Sequence, residues 1–338
     1  MESGIKRMIS WILVLAGVNL LFGCGFARAA SDANEGGVVR LPYTFMTGPM
    51  KKKRDIALEY KGKFAKVPVE VMVYKAVEPN VTEAYVRQLG EKHFGMSADA
   101  NFTRSSGRFF WLRDKNWFLD VDGLDGSFWL RKSTSLEESN KKVRELRRLE
   151  NEHKLEYPCV EECKVIAEGF LREHDVLTSD ACVRGVADNT HGAHVMSVGF
   201  HKKINGYSGY GAGFKIVVYV GPGGRVDGIY KAWPELIPWK MYPVKGPEEA
   251  LAELRNHKGI LFNGSKGMVE EISLGYYRAA KKRGGYIQPV YYFSCRGAKR
   301  KFYGCVGAIK NEYVKSKAEM EKGLQKKKSS VKRGTKVQ

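Results

Sequence analysis

Phe214-Lys215-Ile216-Val217-Val218-Tyr219-Val220-Gly221-Pro222-Gly223-Gly224-Arg225-Val226-Asp227-Gly228-Ile229-Tyr230 is the stretch on which the fold turns. Two runs rich in β-formers flank a Gly-Pro-Gly-Gly break. Proline lacks an amide donor, and glycine takes the left-handed conformations that tight turns need. The spacing predicts a strand from Gly213 to Val220, a turn, and a strand from Arg225 to Ala232. Upstream, Asn205-Gly206 is a second turn signal, and Ala193 to Lys203 reads as another strand. Before it, Cys159, Cys163, Ile166 and Phe170 recur at helical spacing, which predicts a helix over Pro158 to His174.

The pattern of one helix followed by strands occurs on either side as well. In the first copy, after a strand at Val69 to Tyr74, Asn80 is the expected N-cap, Glu83 its capping-box partner and Gly95 the helix stop. Strands follow at Gly107–Leu112, Trp117–Val121 and Ser127–Arg131, with Asp-containing turns between them. In the last copy, Gly246-Pro247-Glu248-Glu249 opens a helix whose buried face is Ala250, Leu251 and Leu254. Its strands are Met268–Tyr277, Ile287–Cys295 and Phe302–Ile309. The expected fold class is therefore α+β: serial units, each one helix packed on an antiparallel sheet.

The expected organisation is a signal peptide or membrane anchor over 1–30 and a flexible segment over 31–66. A helix-plus-meander unit spans 67–135, a charged linker helix 136–156, a second unit 157–240 and a third 241–311. A basic tail over 312–338 holds too few bulky apolar side chains to offset its ordering entropy and is expected to be disordered.

Lys6-Arg7 followed by the apolar run from Met8 to Phe22 is an export signal, with the basic pair held on the cytoplasmic side. Three fates are open. Ala27-Arg28-Ala29 fits a signal-peptidase site; Leu21-Phe22-Gly23-Cys24 is similar to a lipobox with Cys24 acylated; or the segment stays uncleaved as an anchor.

The chain of 338 residues carries a formal charge of +20, of which the leader supplies +2 and the tail from Asn311 +6. The remaining +12 sits on the folded part. A positive body favours anionic surfaces. Export moves anionic wall polymer and anionic lipid ahead of nucleic acid, which is not an expected partner. Exposed sheet edges also fit partners that add a strand.

The residue pattern offers no catalytic constellation and implies no cofactor. There is no His-Glu-x-x-His pair, and Gly264-Ser265-Lys266-Gly267 is too short for a phosphate loop. Asp120, Asp122 and Asp125 lack the closing acid of a calcium loop, since Arg131 stands there, and read as turn formers. His191 and His194 lack a third metal ligand. Cys159 and Cys163 read as small buried residues on their helix. Cys295 and Cys305 flank a short basic turn. If their strands pair around Lys299-Arg300-Lys301, opposite residues have numbers summing to 600, and the two cysteines can bridge across the hairpin.

The second unit, through Ala167–His174, Val198-Gly199-Phe200, Phe214–Val220 and Gly223–Tyr230, resembles PepSY-type domains. The third, through Glu248–Leu254, Leu274-Gly275-Tyr276-Tyr277 and Gln288-Pro289-Val290-Tyr291, is similar to the C-terminal part of YycH/YycI-type regulators. Those are exported or membrane-anchored proteins that restrain a sensor kinase of Gram-positive bacteria. The resemblance implies a non-enzymatic regulatory or inhibitory module of a bacterial cell envelope, with a sensor kinase or a protease as partner.

Overall fold

The structure is a computed structural model that describes residues 40–42, 55–105, 107–152, 154–262, 264–278 and 285–315. The chain divides into two units, Met1–Arg40 and Leu41–Gln338, and only Arg40 of the first is described. The leader, Cys24 and the tail from residue 316 onward lie outside the described residues.

The second unit is α+β. Its strands are β1 (Ala57–Glu59), β2 (Glu70–Val77), β3 (Asn101–Ser105), β4 (Phe109–Arg113), β5 (Trp117–Asp122), β6 (Phe128–Lys132), β7 (Ala181–Asn189) and β8 (Val195–Ile204). They continue with β9 (Tyr207–Tyr210), β10 (Lys215–Val220), β11 (Val226–Ala232), β12 (Glu235–Pro243), β13 (Ile260–Phe262), β14 (Lys266–Tyr277), β15 (Tyr286–Arg296) and β16 (Lys301–Gly307). The main helices are α1 (Glu83–Phe94), α2 (Leu136–Asn151), α3 (Val160–Glu173) and α4 (Pro247–Arg255).

The sixteen strands among the described residues belong to one hydrogen-bonded system, with the path β12-β2-β15-β14-β9-β8-β10-β11-β6-β5-β4-β3. The seams expected between serial units do not interrupt it. Ile229 of β11 pairs with Leu130 of β6, which joins the first meander to the strands of the second unit. Tyr276 of β14 pairs in parallel with Gly209 of β9, which joins the second to the third. The helices divide one sheet among them rather than each owning its own.

α1 starts at Thr82, two residues after the expected Asn80 cap; the Thr82 hydroxyl accepts from the Tyr85 amide at 3.2 Å. Glu83 is thereby the first helical residue and pairs with Arg87 at 2.8 Å. Gly95 closes the helix at φ 58°. α1 lies close on β4: a Cβ at Gly90 would stand 2.7 Å from Leu112 Cδ2. α3 buries Cys163, Ala167 and Leu171, and with α1 and the even-numbered side chains of β8 and β10 it closes the first core. Cys159 does not share that face. It is the exposed N-cap of α3, because the helix starts one residue later than the apolar stripe suggests. Among the described side chains α2 contributes none to a core, and it pairs its charges within itself and with Asp227 at 3.1 Å.

α4 buries Ala250, Leu251 and Leu254 against Phe293, Phe302 and Val306 in a second core. Fully burying side chains of this size contributes about 1.5–3 kcal/mol each. Beneath the end of β12, Lys245 is buried and gives its ammonium to Glu253 at 2.8 Å and Asn311 at 3.1 Å; the Asn311 amide returns to Glu253 at 2.7 Å.

Short described parts of both chain ends pack on the second unit's cores. Within 31–66, Leu58 is buried on β1, which pairs in parallel with β14, and Leu41 is fully buried. Within the basic tail, Tyr313 and Val314 pack on Leu41, whose amide donates to Tyr313 O at 2.8 Å. The apolar side chains of these segments offset the entropy of ordering them.

Candidate functional site

Residues opposite one another in a ladder point to the same side, as do residues two apart along a strand. From β8 outward this parity sorts the sheet into two faces. Val198, Phe200 and Ile204 of β8 face the cores, and all three core helices, α1, α3 and α4, lie on that side. The opposite side carries none of them and is the candidate binding face.

One row of that face can be followed strand by strand: Gly185, Gly199, Val217, Tyr230, Trp129, Asp120 and Trp111 stand opposite each other in turn from β7 to β4. The next row contains Tyr219, Gly228, Arg131 and Phe118. Trp129 is 43% exposed, packs edgewise on Tyr230 at 5.9 Å and lies tilted against Tyr219 at 5.3 Å. Arg131 lies 4.6 Å over the Phe118 ring, and Lys215 5.1 Å over Tyr230. A hollow of about 120 Å³ opens beside Phe109, Asp120, Trp129 and Tyr230. The buried indole N–H of Trp111 has no hydrogen-bond partner among the described residues.

A second aromatic patch lies on the same face beyond β8. Lys203 stands opposite Ser208, and Ser208 and Tyr210 pair with Gly275 and Tyr277 of β14. Ser273 then stands opposite Tyr292, and Tyr292 opposite Cys305. Tyr210 and Tyr292 stack at 4.0 Å with planes 3° apart, and Tyr303 stacks on Tyr292 at 5.4 Å. Burial raises the phenol pKa of Tyr210 and Tyr292 above the usual value, so both are neutral hydroxyls at physiological pH.

Between the two patches lies a basic cluster. Cys182, His201 and Lys215 form one row across β7, β8 and β10; Lys203 is two residues from His201, and Arg184 occupies the bulge of β7 between Val183 and Gly185. Lys203 Nζ donates to Ser208 Oγ at 3.2 Å, and that hydroxyl is 3.5 Å from His201 Nε2. Burial first, then the charges of Lys203 and Arg184, hold the His201 pKa below the usual value. Burial and Arg184 do the same to Lys215.

The cysteines do not bridge. β15 and β16 pair so that Cys295 stands opposite Phe302 and Cys305 opposite Tyr292, a register in which numbers sum to 597. The loop is Gly297–Arg300, closed by the Gly297 amide on Arg300 O at 3.0 Å. The odd offset from 600 puts the two side chains on opposite faces. Cys295 is buried in the second core and Cys305 under Tyr292 and Tyr277; both are free thiols. Burial pushes the Cys295 thiol up to about 12 and raises that of Cys305 as well, so neither is a nucleophile at neutral pH.

Several other sequence candidates have structural partners. Asp122 takes a bidentate contact from Arg108 at 2.7 and 3.0 Å and the Leu124 amide, and Asp125 takes the Ser127 amide. Lys266 opens β14 and pairs with Asp55 at 2.9 Å. His194 is buried 3.6 Å from Glu150. Among the described residues no group of three or more His, Cys, Asp or Glu side chains is arranged to hold a metal. None of the described helices is long and apolar enough to cross a membrane.

The basic cluster and the aromatic rows were not singled out from sequence. Their signal is the period of two in β8 and β10, where His201 and Lys203, and Lys215 and Tyr219, fall on one parity.

No family model matches the chain, and no curated protein matches it. Among solved structures it is similar to the Bacillus megaterium YpeB C-terminal domain, with 12% identity over 68% of this chain and 94% of that one and a TM-score of 0.35. A likeness of that degree fixes neither family nor function.

Proposed function

We propose that the chain is a non-enzymatic, exported protein of a bacterial cell envelope that regulates or inhibits a partner protein by holding it on the helix-free face. The observation that carries this reading is the row of large aromatic side chains on that face, with Trp129 43% exposed at its centre. Aromatic and arginine side chains are the groups that dominate binding energy in protein interfaces. Trp129, Phe118, Tyr219, Tyr230 and Arg131 supply them on rigid strands. Lys6-Arg7 and the apolar run behind it support a partner in the envelope, and the resemblance to YycH/YycI-type regulators suggests a sensor kinase or a protease.

The test is recovery of one envelope protein on the immobilised chain and its loss when Trp129→Ser and Tyr219→Ser are combined. Equal recovery by parent and variant would overturn the reading. A second reading, binding of anionic wall polymer or anionic lipid, is favoured by the basic cluster between the patches. Salt-dependent retention on wall polymer or on anionic vesicles, unaffected by the two serines, would select it.

A further inference from the structure

Arg184, His201, Lys203 and Lys215 share one face and three adjacent strands, whose spacing is about 4.8 Å. None of the four forms an ion pair with a described acid. Ser208 contacts Lys203 and His201, and the Tyr230 ring lies under the Lys215 ammonium, but neither is an anion, and Lys215, His201 and Lys203 are only partly exposed. Two acids of the β7 segment are engaged elsewhere. Asp180 takes Lys202 and Trp233 on the core side, and Asp188 caps Thr190. A half-buried group of like charges is unfavourable on its own and becomes favourable with an anion among them.

A second observation gives the anion a place. Gly185 and Gly199 stand opposite each other on the same face, one row from His201 and Lys215. A Cβ on Gly185 would meet nothing within 4 Å, and one on Gly199 would meet only Gly185 O, at 3.7 Å. Two missing side chains leave open space beside the cations. The bulge of β7, with Gly185 at φ 154°, turns Arg184 toward this cluster.

We propose that Arg184, His201, Lys203 and Lys215, with the open space over Gly185 and Gly199, form a binding site for a phosphoryl group. An arginine and two lysines bring more charge than one carboxylate offsets, whereas a phosphate monoester brings about −1.5 to −2 and three acceptor oxygens. Arg184 supplies a planar donor fork, and the two lysines supply point charges. This site is independent of whether a protein also docks on the aromatic rows.

The experiment titrates the full chain with inorganic phosphate at pH 7 and fixed ionic strength, following heat and the His201 ring signals by NMR. Saturable binding with an upward shift of the His201 pKa is expected. Lys215→Gln and Arg184→Gln should each weaken binding about tenfold or more, the loss of one charge-assisted hydrogen bond. Gly199→Val fills that space without changing charge and should weaken binding to a similar degree. Each variant is checked for an unchanged melting temperature, and Lys203→Gln stands in for any that fails to fold. No saturation, equal affinity in the charge variants, or tighter binding of a glutamate-rich peptide than of phosphate would overturn the proposal. Because no partner protein is present, failure here leaves the protein-docking reading standing, and success does not depend on it.

Discussion

Lys245, Glu253 and Asn311 form a closed buried triangle, and breaking it at one corner should cost more than removing its charges together. The side chains of Lys245 and Glu253 are 2% and 9% exposed. Glu253→Leu leaves the Lys245 ammonium with only Asn311 Oδ1 at 3.1 Å, and Lys245→Met leaves the Glu253 carboxylate with only the Asn311 amide at 2.7 Å. An uncompensated buried charge costs about 3–5 kcal/mol. The pair combined removes both charges and fills the space with apolar groups, so the double variant should lie within about 1–2 kcal/mol of the parent. Urea denaturation of the four proteins at pH 7 measures the cycle. The reasoning requires the double variant to be more stable than either single variant. A double variant that loses the sum of the two single losses would refute it. That outcome would mean that α4 and the end of β12 are held by packing and not by this triangle.

Lys231 is held down to about 8 by burial, and its ammonium donates to Val176 O at 2.9 Å. The unfolded chain keeps that proton to about pH 10.4, so the cost of burying the charge is present below pH 8 and fades as pH rises toward 10.4. Lys231→Met should gain about 1–2 kcal/mol at pH 7 after discounting for partial exposure and the lost hydrogen bond, and the gain should vanish near pH 10 in paired urea curves. Cys295 and Cys305 should both be alkylated only after unfolding, and non-reducing peptide mapping should find no bond between them. Thr82→Ala should cost about 1 kcal/mol of stability as a lost cap, while Asn80→Ala should be nearly silent in the same denaturation assay.

The parts of the fold legible in sequence are those where one local signal decides. Gly221–Gly224 forced the β10–β11 turn, Pro247 with two acids behind it opened α4, and Gly95 ended α1. Six strands escaped, and two of them, β1 and β13, are only three residues long. β12 contains Pro238 and Pro243, which argue against a strand, yet it is an edge paired only with β2 and bulged beside Pro238. β7 is broken in sequence by Gly185 and in structure by a bulge at the same place. β3 and β9 are short and polar, and only their neighbours make them strands.

The helix-free face depends on the parity of pairing across strands that are distant in sequence. Arg184 joins His201 and Lys215 only because β7 and β10 flank β8. The cysteine register failed for a related reason. A turn centred between Ala298 and Lys299 instead of on Arg300 moves the sum by three and exchanges the faces.

The most direct measurement places a photo-activatable residue in the native envelope at Trp129, Tyr219 or Tyr303 on the helix-free face, and at Val165 on the exposed side of α3, which is 72% exposed. Regulation through the helix-free face predicts crosslinks to one common protein from the first three positions and none from Val165. Crosslinks from Val165 alone, or no crosslink from Trp129 and Tyr219, would contradict it.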